Sequence, residues 1–293
     1  MLLIKKKRIF LSVFSFIIVL ILCSACEWIN PDEQIPSFIR IEAINLTTDY
    51  YTEGTASHKI TDAWVYVDDD IIGGFEMPAV IPVLKKGVHK ITIKPGIQLN
   101  GTASTRAIYP FYNDIVVTVN LVEDQITDLG IVQTKYNAST KFAWIENFEQ
   151  AGISIESTSK SDTVLQQISN PDKIFEGWSG IINLDANKTV YEGASHVAYD
   201  LPKNGSSVFL ELNYKTNNSF IVGLFINNFS TTVQQPVVVV NKSDIWKKIY
   251  INFTTVTSRE VNALNFKIFI GAIKEDDVDI PEILIDNIKL VHF

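Results

Sequence analysis

The sequence predicts an all-β protein built from two successive β-sandwiches. Short runs of alternating apolar and polar residues recur along the whole chain, which is typical of half-buried strands. The chain is rich in Val, Ile, Thr, Phe, Tyr and Asn, and no stretch of a dozen residues shows the 3.6-residue periodicity of an amphipathic helix. Loops of Asn, Ser, Gly and Pro separate the runs, as in sandwich folds.

The first 25 residues are predicted to be a secretory signal peptide. A basic run, Lys5–Arg8, precedes an apolar run, Ile9–Leu22, that is shorter than the roughly 20 residues a bilayer requires. Ser24, Ala25 and Cys26 close the segment. This ending resembles the lipobox of bacterial lipoproteins, although Cys23 stands where that family usually has leucine. The resemblance implies that Cys26 is lipidated and becomes the first mature residue. The alternative is an ordinary cleaved signal in which Cys26 is incidental.

Lipidation would place the protein in the outer membrane, anchored by lipid and facing either the cell surface or the periplasm. Residues 26–37 are then a short extended tether with little to bury. Glu27, Asp32 and Glu33 loosely match the acidic export signal that some surface lipoproteins of the Bacteroidetes carry after the lipidated cysteine. The alternative for these acidic residues is a solvated linker.

Charge and cysteine content exclude several functions. Removing residues 1–25 takes away four basic residues, so the formal net charge moves from −8 to −12. An acidic chain lacks the clustered cations that nucleic acid binding requires, so we expect no nucleic acid partner. Both cysteines lie within or directly after the signal, which leaves the mature body without a disulfide, a thiol nucleophile or a cysteine metal site.

The first domain is predicted over residues 38–136. A polar turn, Asp68–Asp70, joins two runs into a hairpin. Residues 64–96 resemble the PEGA-like or carboxypeptidase-regulatory-like modules of bacterial surface proteins. That resemblance implies an immunoglobulin-like sandwich that serves as a spacer or platform. The predicted strands are 39–44, 63–67, 71–75, 80–84, 88–93, 115–121 and 129–136.

The second domain is predicted over residues 141–293, and we expect it to fold independently because the junction near residues 136–141 is polar. Its strands recur about every 15 residues, which favours a two-sheet jelly roll. Segments 147–152, 191–201, 207–220, 246–254 and 281–291 resemble, in order, those of carbohydrate-binding modules with the galactose-binding-like fold, many of which bind no sugar. The predicted strands are 207–214, 220–226, 237–240, 246–253, 265–270 and 282–293.

No enzyme pattern was found. The sequence lacks Gly-x-Ser-x-Gly, His-Glu-x-x-His and a phosphate-binding glycine loop, and its four histidines are scattered. Glycosidases that resemble this fold carry Glu-x-Asp-x-x-Glu on one strand, and this chain does not. We therefore expect a protein that is not an enzyme.

The resemblance to carbohydrate-binding modules implies one structural calcium ion. Glu149 and Asp286 fall at the positions where that family holds the ion, and hard oxygen ligands suit it. Asp286 interrupts an apolar strand, where an unpaired carboxylate is costly. The alternative is that Asp286 faces solvent or caps a neighbouring amide.

Sugar binding needs exposed aromatic rings that pack on the C–H groups of a pyranose. Trp178 lies in a polar loop between glycines, and Tyr191 is predicted in a second loop, so both are candidates for ligand contact. Trp178 alternatively plugs the end of a sandwich. We therefore predict a non-enzymatic cell-envelope lipoprotein whose jelly roll binds glycan at the cell surface. The alternative is a structural or accessory subunit of an outer-membrane protein assembly, with an envelope protein as partner.

Overall fold

The computed structural model describes residues 33–293, and it confirms the all-β prediction. The signal peptide, Cys26 and most of the tether lie outside the described residues. In this described part of the chain, two short helices interrupt the strands, Tyr50–Glu53 (α1) and Thr254–Arg259 (α2). Within residues 33–293, no helix has the length and apolar character needed to cross a membrane.

The first ten strands form the N-terminal sandwich. One sheet has the order β5-β1-β9, the facing sheet has the order β4-β3-β6-β7 with β8 also paired to β6, and β10 pairs with β2. Their inward side chains form one apolar cluster that includes Ile39, Val65, Ile81 and Ile91. The strands are Ser37–Ile41 (β1), Ala43–Thr47 (β2), Asp62–Val67 (β3), Asp70–Glu76 (β4), Ala79–Val83 (β5), Gly87–Gln98 (β6), Arg106–Ile108 (β7), Ile115–Leu121 (β8), Ile126–Asp128 (β9) and Ile131–Lys135 (β10).

The remaining eleven strands form the C-terminal jelly roll. A six-stranded sheet has the order β13-β14-β21-β16-β19 with β11 also paired to β21, and a five-stranded sheet has the order β12-β15-β20-β17-β18. The strands are Lys141–Glu146 (β11), Ile155–Ser157 (β12), Gln166–Ile168 (β13), Ser179–Asn183 (β14), Val190–Ser195 (β15), Val208–Thr216 (β16), Phe220–Asn227 (β17), Thr232–Val240 (β18), Ser243–Asn252 (β19), Asn265–Ile273 (β20) and Glu282–His292 (β21).

The jelly-roll core lies between these two sheets. Alternate residues of β16 and β20, such as Leu210, Leu212, Ile268 and Ile270, are buried together there. Alternate side chains of each strand therefore point into the core, which explains the period of two in the sequence. The faces that point away from the core are left to make other contacts.

The outer face of the six-stranded sheet packs against the first sandwich. Tyr109, Phe111 and Tyr112 from the first sandwich form one buried aromatic cluster with Phe209 and Tyr250 from the second. The rings of Tyr109 and Tyr250 lie 4.8 Å apart. Because these rings are buried only when the two halves meet, the sandwiches share part of their apolar interior.

Buried charges complete this junction. The Glu211 carboxylate accepts hydrogen bonds from the hydroxyls of Tyr109 at 2.7 Å and Tyr136 at 2.8 Å. Lys248 lies 3.1 Å from the second carboxylate oxygen, and Lys289 donates to the Thr55 carbonyl at 2.6 Å. Burial lowers the pKa of Lys289 to about 7. The charged groups of one sandwich are thus satisfied partly by donors and acceptors of the other.

Candidate functional site

The predicted aromatic residue Trp178 lies on the surface, in the loop before β14. It is 43 % exposed, so part of the residue reaches solvent. Its backbone N–H donates to Glu149 Oε1 at 2.8 Å, so this carboxylate fastens the loop. Gly177 has a φ of +49°, and a side chain there would collide with the Glu149 carboxylate. The loop conformation presents the indole to solvent, and ligand contact by Trp178 stays a prediction.

Asp286 is fully buried in β21, so the solvent-facing alternative is wrong. Its carboxylate accepts hydrogen bonds from the Ser179 hydroxyl at 2.7 Å and from the Asn287 backbone N–H at 2.6 Å. Burial raises the pKa of Asp286 to about 7, and the negative charges of Glu176 and Glu149 add to that effect. Both predicted calcium ligands therefore lie in one acidic region.

These carboxylates do not form a complete metal site by themselves. Within residues 33–293, no three His, Cys, Asp or Glu side chains converge as a metal-binding group. Glu149 and Asp286 each accept hydrogen bonds from protein donors, and Glu176 accepts one from the Asn287 side chain at 2.9 Å. Hydrogen bonds within the protein account for their positions. A calcium ion would require further oxygen ligands from the backbone or water.

The expectation of an exposed ring at Tyr191 is corrected by the structure. Tyr191 belongs to the strand β15 rather than to a loop, and only 1 % of it is exposed. Its ring lies over Gly193, where the absence of a side chain leaves room for it. Burial raises the pKa of the Tyr191 hydroxyl. A ring held in the core offers no face for a sugar.

The structure instead shows a groove on the outer face of the five-stranded sheet. The groove has a volume of about 490 Å³ and crosses β15, β20, β17 and β18. Its lining is mainly apolar and includes Ile221, Val239, Phe269 and Gly271. These positions alternate with the core residues of the same strands, so they are the side chains that the fold turns away from its interior.

Glycine shapes the floor of the groove. Gly223 pairs with Phe269 across the strands, and a side chain at Gly223 would collide with the Phe269 ring and with the backbone of β18. The Phe269 ring therefore lies against the sheet. At Gly271, an added Cβ would make ordinary van der Waals contact with the Phe269 ring and the Tyr191 carbonyl at 3.7 Å, so a side chain there would fit without collision.

One end of the groove carries an ordered polar group. The Glu192 carboxylate is nearly buried, and it accepts hydrogen bonds from Thr158 Oγ1 and from Gln234 Nε2, each at 2.7 Å. Lys160 Nζ donates to Gln234 Oε1 at 3.1 Å and lies 3.5 Å from Glu192 Oε2. These contacts hold a carboxylate, an amide and an ammonium group beside the apolar floor.

The opposite end of the groove is also polar. Glu275 accepts a hydrogen bond from the Ser219 backbone N–H at 3.1 Å and pairs with Lys242 at 2.5 Å. The hydrogen bond from Lys242 lowers the pKa of Glu275. The groove therefore has an apolar middle and a charged, hydrogen-bonded group at each end, which is how small-ligand sites are commonly built.

None of the predicted ligand or calcium residues lines this groove except the buried Tyr191. One sequence feature could have indicated the groove. It is the presence of apolar residues on the outward side of β17 and β20, together with glycines inside both strands; these apolar residues are Ile221, Phe269 and Ile273. A strand that is apolar on both sides is either buried on both sides or carries a binding surface. The sequence alone does not distinguish these two cases.

No protein-family model matches the chain, and a search of curated proteins found no match. Several solved carbohydrate-binding modules are similar in structure. A mutant family 29 module complexed with cellulohexaose is 14 % identical, with 53 % of this chain and 92 % of that chain covered and a TM-score of 0.35. The family 11 module of Clostridium thermocellum, complexed with a mixed-linked tetrasaccharide, is 10 % identical, with 50 % and 94 % covered and a TM-score of 0.35.

A third similar structure belongs to a larger enzyme. It contains a family 22 carbohydrate-binding module and the catalytic module of an endo-1,4-beta-D-xylanase from Clostridium thermocellum, complexed with xylohexaose. Identity is 12 %, with 52 % of this chain and 28 % of that chain covered and a TM-score of 0.37. Sequence identities and TM-scores this low do not show that this chain binds the same ligands or uses the same residues.

Proposed function

We propose that this chain is a non-enzymatic, lipid-anchored envelope protein that binds glycan in the groove of its C-terminal jelly roll. The observation that supports this function is the groove itself, with its mainly apolar lining and the Glu192–Gln234–Lys160 group at one end. A sugar chain presents C–H groups and hydroxyls together, so it suits a surface that has both characters.

The ordered polar group gives this proposal its chemical detail. Glu192 has two oxygens, and its contacts with Thr158, Gln234 and Lys160 leave acceptor capacity for a further donor. A sugar hydroxyl donates to such a carboxylate through a charge-assisted hydrogen bond, which is stronger than a neutral one. Because Glu192 is already held in place, little side-chain entropy is lost on binding.

An array of polysaccharides and oligosaccharides, probed with the full chain in detergent, tests this function. We expect binding to one class of uncharged glycan and little binding to the others. Binding to every glycan alike, or to none, would contradict a specific glycan site. Absence of glycan binding would favour the accessory-subunit alternative, which the apolar groove floor also suits. In that case, a groove variant should disturb co-purification of the protein with an envelope partner.

The anchor is tested separately with Cys26→Ser. Because the thiol is the predicted attachment point of the lipid, the variant should leave the membrane fraction or remain an unprocessed precursor. The matched control is Cys23→Ser, which changes a neighbouring cysteine and should leave fractionation unaltered. A Cys26→Ser protein that stays in the membrane at its mature size would overturn the lipoprotein assignment.

A further inference from the structure

An apolar surface lies at one end of the first sandwich, where the chain enters it. Phe38 in β1 lies between Pro82 of β5 and Ile126 of β9 on the outer face of their sheet. Leu84 directly follows β5 beside this row, and Leu84 and Ile126 are 62 % and 57 % exposed. We call Phe38, Pro82, Leu84 and Ile126 the entry patch. Contiguous exposed apolar residues of this kind mark interaction surfaces.

Charged side chains appear further along the same sheet face. Two residues further along β1, Arg40 lies between Val80 and Asp128. The Arg40 guanidinium pairs with Glu42 at 2.7 Å and with Asp128 at 3.6 Å. The same face therefore changes from apolar to charged as the strand runs away from the point of chain entry.

The jelly roll lies at the opposite end of the first sandwich. The strand β6 begins at Gly87, three residues after Leu84 of the entry patch. It ends at Gln98, next to Leu99, which bridges to Tyr250 of the jelly roll. Its 12 residues separate the two ends by about 40 Å at roughly 3.3 Å per residue. The entry patch thus lies at the end of the first sandwich that is remote from the jelly roll.

The length of the tether limits what covers the entry patch. Cys26 is 11 residues before Ser37, where β1 begins. Even a fully extended tether of that length spans at most about 40 Å. A lipid on Cys26 therefore keeps Ser37, at the entry end of the sandwich, within about 40 Å of the bilayer.

We propose that the entry patch contacts the lipid surface into which the Cys26 acyl chains insert, and that this contact orients the protein with its jelly roll outward. The proposal depends on the lipid anchor of the proposed function. The nearby cation Lys86 is paired with Glu123 at 3.0 Å, so the patch suits a zwitterionic headgroup region more than a strongly anionic one. Apolar side chains of this size enter the boundary between headgroups and acyl chains.

Site-specific fluorescence quenching tests this contact. Full-length lipidated protein is reconstituted in phosphatidylcholine vesicles that contain nitroxide-labelled lipid, and single cysteines at Leu84→Cys or Ile126→Cys carry an environment-sensitive dye. The control is Ile245→Cys, an equally exposed apolar position on β19 of the jelly roll. We expect at least threefold stronger quenching at both patch positions than at the control. Equal quenching at all three positions would overturn the proposal.

A second variant distinguishes lipid contact by the entry patch from membrane attachment by the lipid anchor. Leu84→Asp, combined with the dye at Ile126→Cys, should reduce quenching to the control value while the protein still floats with the vesicles. With Leu84 unchanged, a protein that fails to float would contradict the anchor itself, whereas a protein that floats with an unquenched dye at Ile126→Cys would contradict only the lipid contact. A Leu84→Asp protein that is quenched as strongly as the protein with Leu84 would also overturn the lipid contact. Protection of the patch in native membranes but not in pure-lipid vesicles would assign it to a protein partner and overturn the proposal.

Discussion

Asp286 shows how a single buried carboxylate affects folding at the residue scale. Its pKa is about 7 in the folded chain, against an ordinary value of 3.8, mainly because burial disfavours the charged form. Between these two values the folded state retains a proton that the unfolded state releases. The contribution of Asp286 to stability is therefore complete below about pH 4 and is lost as the pH rises through 7.

Asp286→Asn should consequently raise the free energy of unfolding of the metal-free protein at pH 8 and change it little at pH 4. A shift of about three pKa units corresponds to at most about 4 kcal/mol. Thermal unfolding in EDTA across this pH range measures the effect. The control is Asp279→Asn, which removes an exposed carboxylate from a loop. A variant that is destabilised at pH 8 would show that the protein needs the ionised carboxylate.

The predicted calcium ion would require that ionised form. If Glu149 and Asp286 bind calcium, the ion stabilises the fold by about 2.7 kcal/mol at 100 times its Kd. EDTA should then lower the melting temperature by several degrees, and Asp286→Asn should abolish the sensitivity. Elemental analysis with calorimetry checks both points. A melting curve that is indifferent to EDTA, with no calcium in the protein, would exclude the ion.

At the scale of elements, the strands β16, β19 and β21 connect the two sandwiches. Their outward residues Glu211, Lys248 and Lys289 are buried beneath the first sandwich. The Tyr109 and Tyr136 hydroxyls, which donate to Glu211, come from that sandwich. Independent folding of residues 141–293 stays a prediction. A fragment of that length would expose Phe209 and Tyr250 and leave Glu211 with fewer donors.

Tyr109→Phe should lower the free energy of unfolding by roughly 1.5–3 kcal/mol, since it removes a hydrogen bond to a buried carboxylate. The two sandwiches should also unfold in a single transition. The matched control is Tyr66→Phe, because the Tyr66 hydroxyl makes no hydrogen bond within residues 33–293. Differential scanning calorimetry measures both. Two separate unfolding transitions, neither of them shifted by Tyr109→Phe, would contradict a junction shared by the two sandwiches.

Alternation in the sequence identified the long strands but not the short ones. The predicted runs at 63–67, 88–93, 220–226 and 265–270 all lie within observed strands, and each is rich in β-branched and aromatic residues. The strands β12 and β13 have only three residues each, too few for a period to be recognised. Tyr191 was predicted in a loop, whereas it lies in β15, where Gly193 leaves room for its ring.

The junction and the groove depend on which face of each sheet is covered, and the sequence does not carry that information locally. Glu211 and Lys289 look like solvent-facing residues of their strands, although both are fully buried. Phe269 looks like a core residue, although it lines the groove on the outer face. Asp286 could be recognised because a charge interrupts an apolar run, while its partner Ser179 could not.

At the scale of the whole molecule, the chain runs from a predicted lipid anchor, through a sandwich with an apolar entry end, to a jelly roll with a groove. The aromatic and charged junction holds the two sandwiches together, so the orientation of the first sets the orientation of the groove. A rigid pair of domains loses less entropy on binding a large ligand than two domains on a flexible linker.

Calorimetric titration of the best glycan from the array tests groove binding most directly, using the full chain with Gly271→Leu or Lys267→Leu. Both substitutions add a leucine to the outer face of β20, but only Gly271 lines the groove. Gly271→Leu should weaken binding at least tenfold, about 1.4 kcal/mol, while Lys267→Leu should bind within twofold of the unaltered chain. Equal affinity for all three proteins would show that the glycan binds elsewhere and would contradict the account.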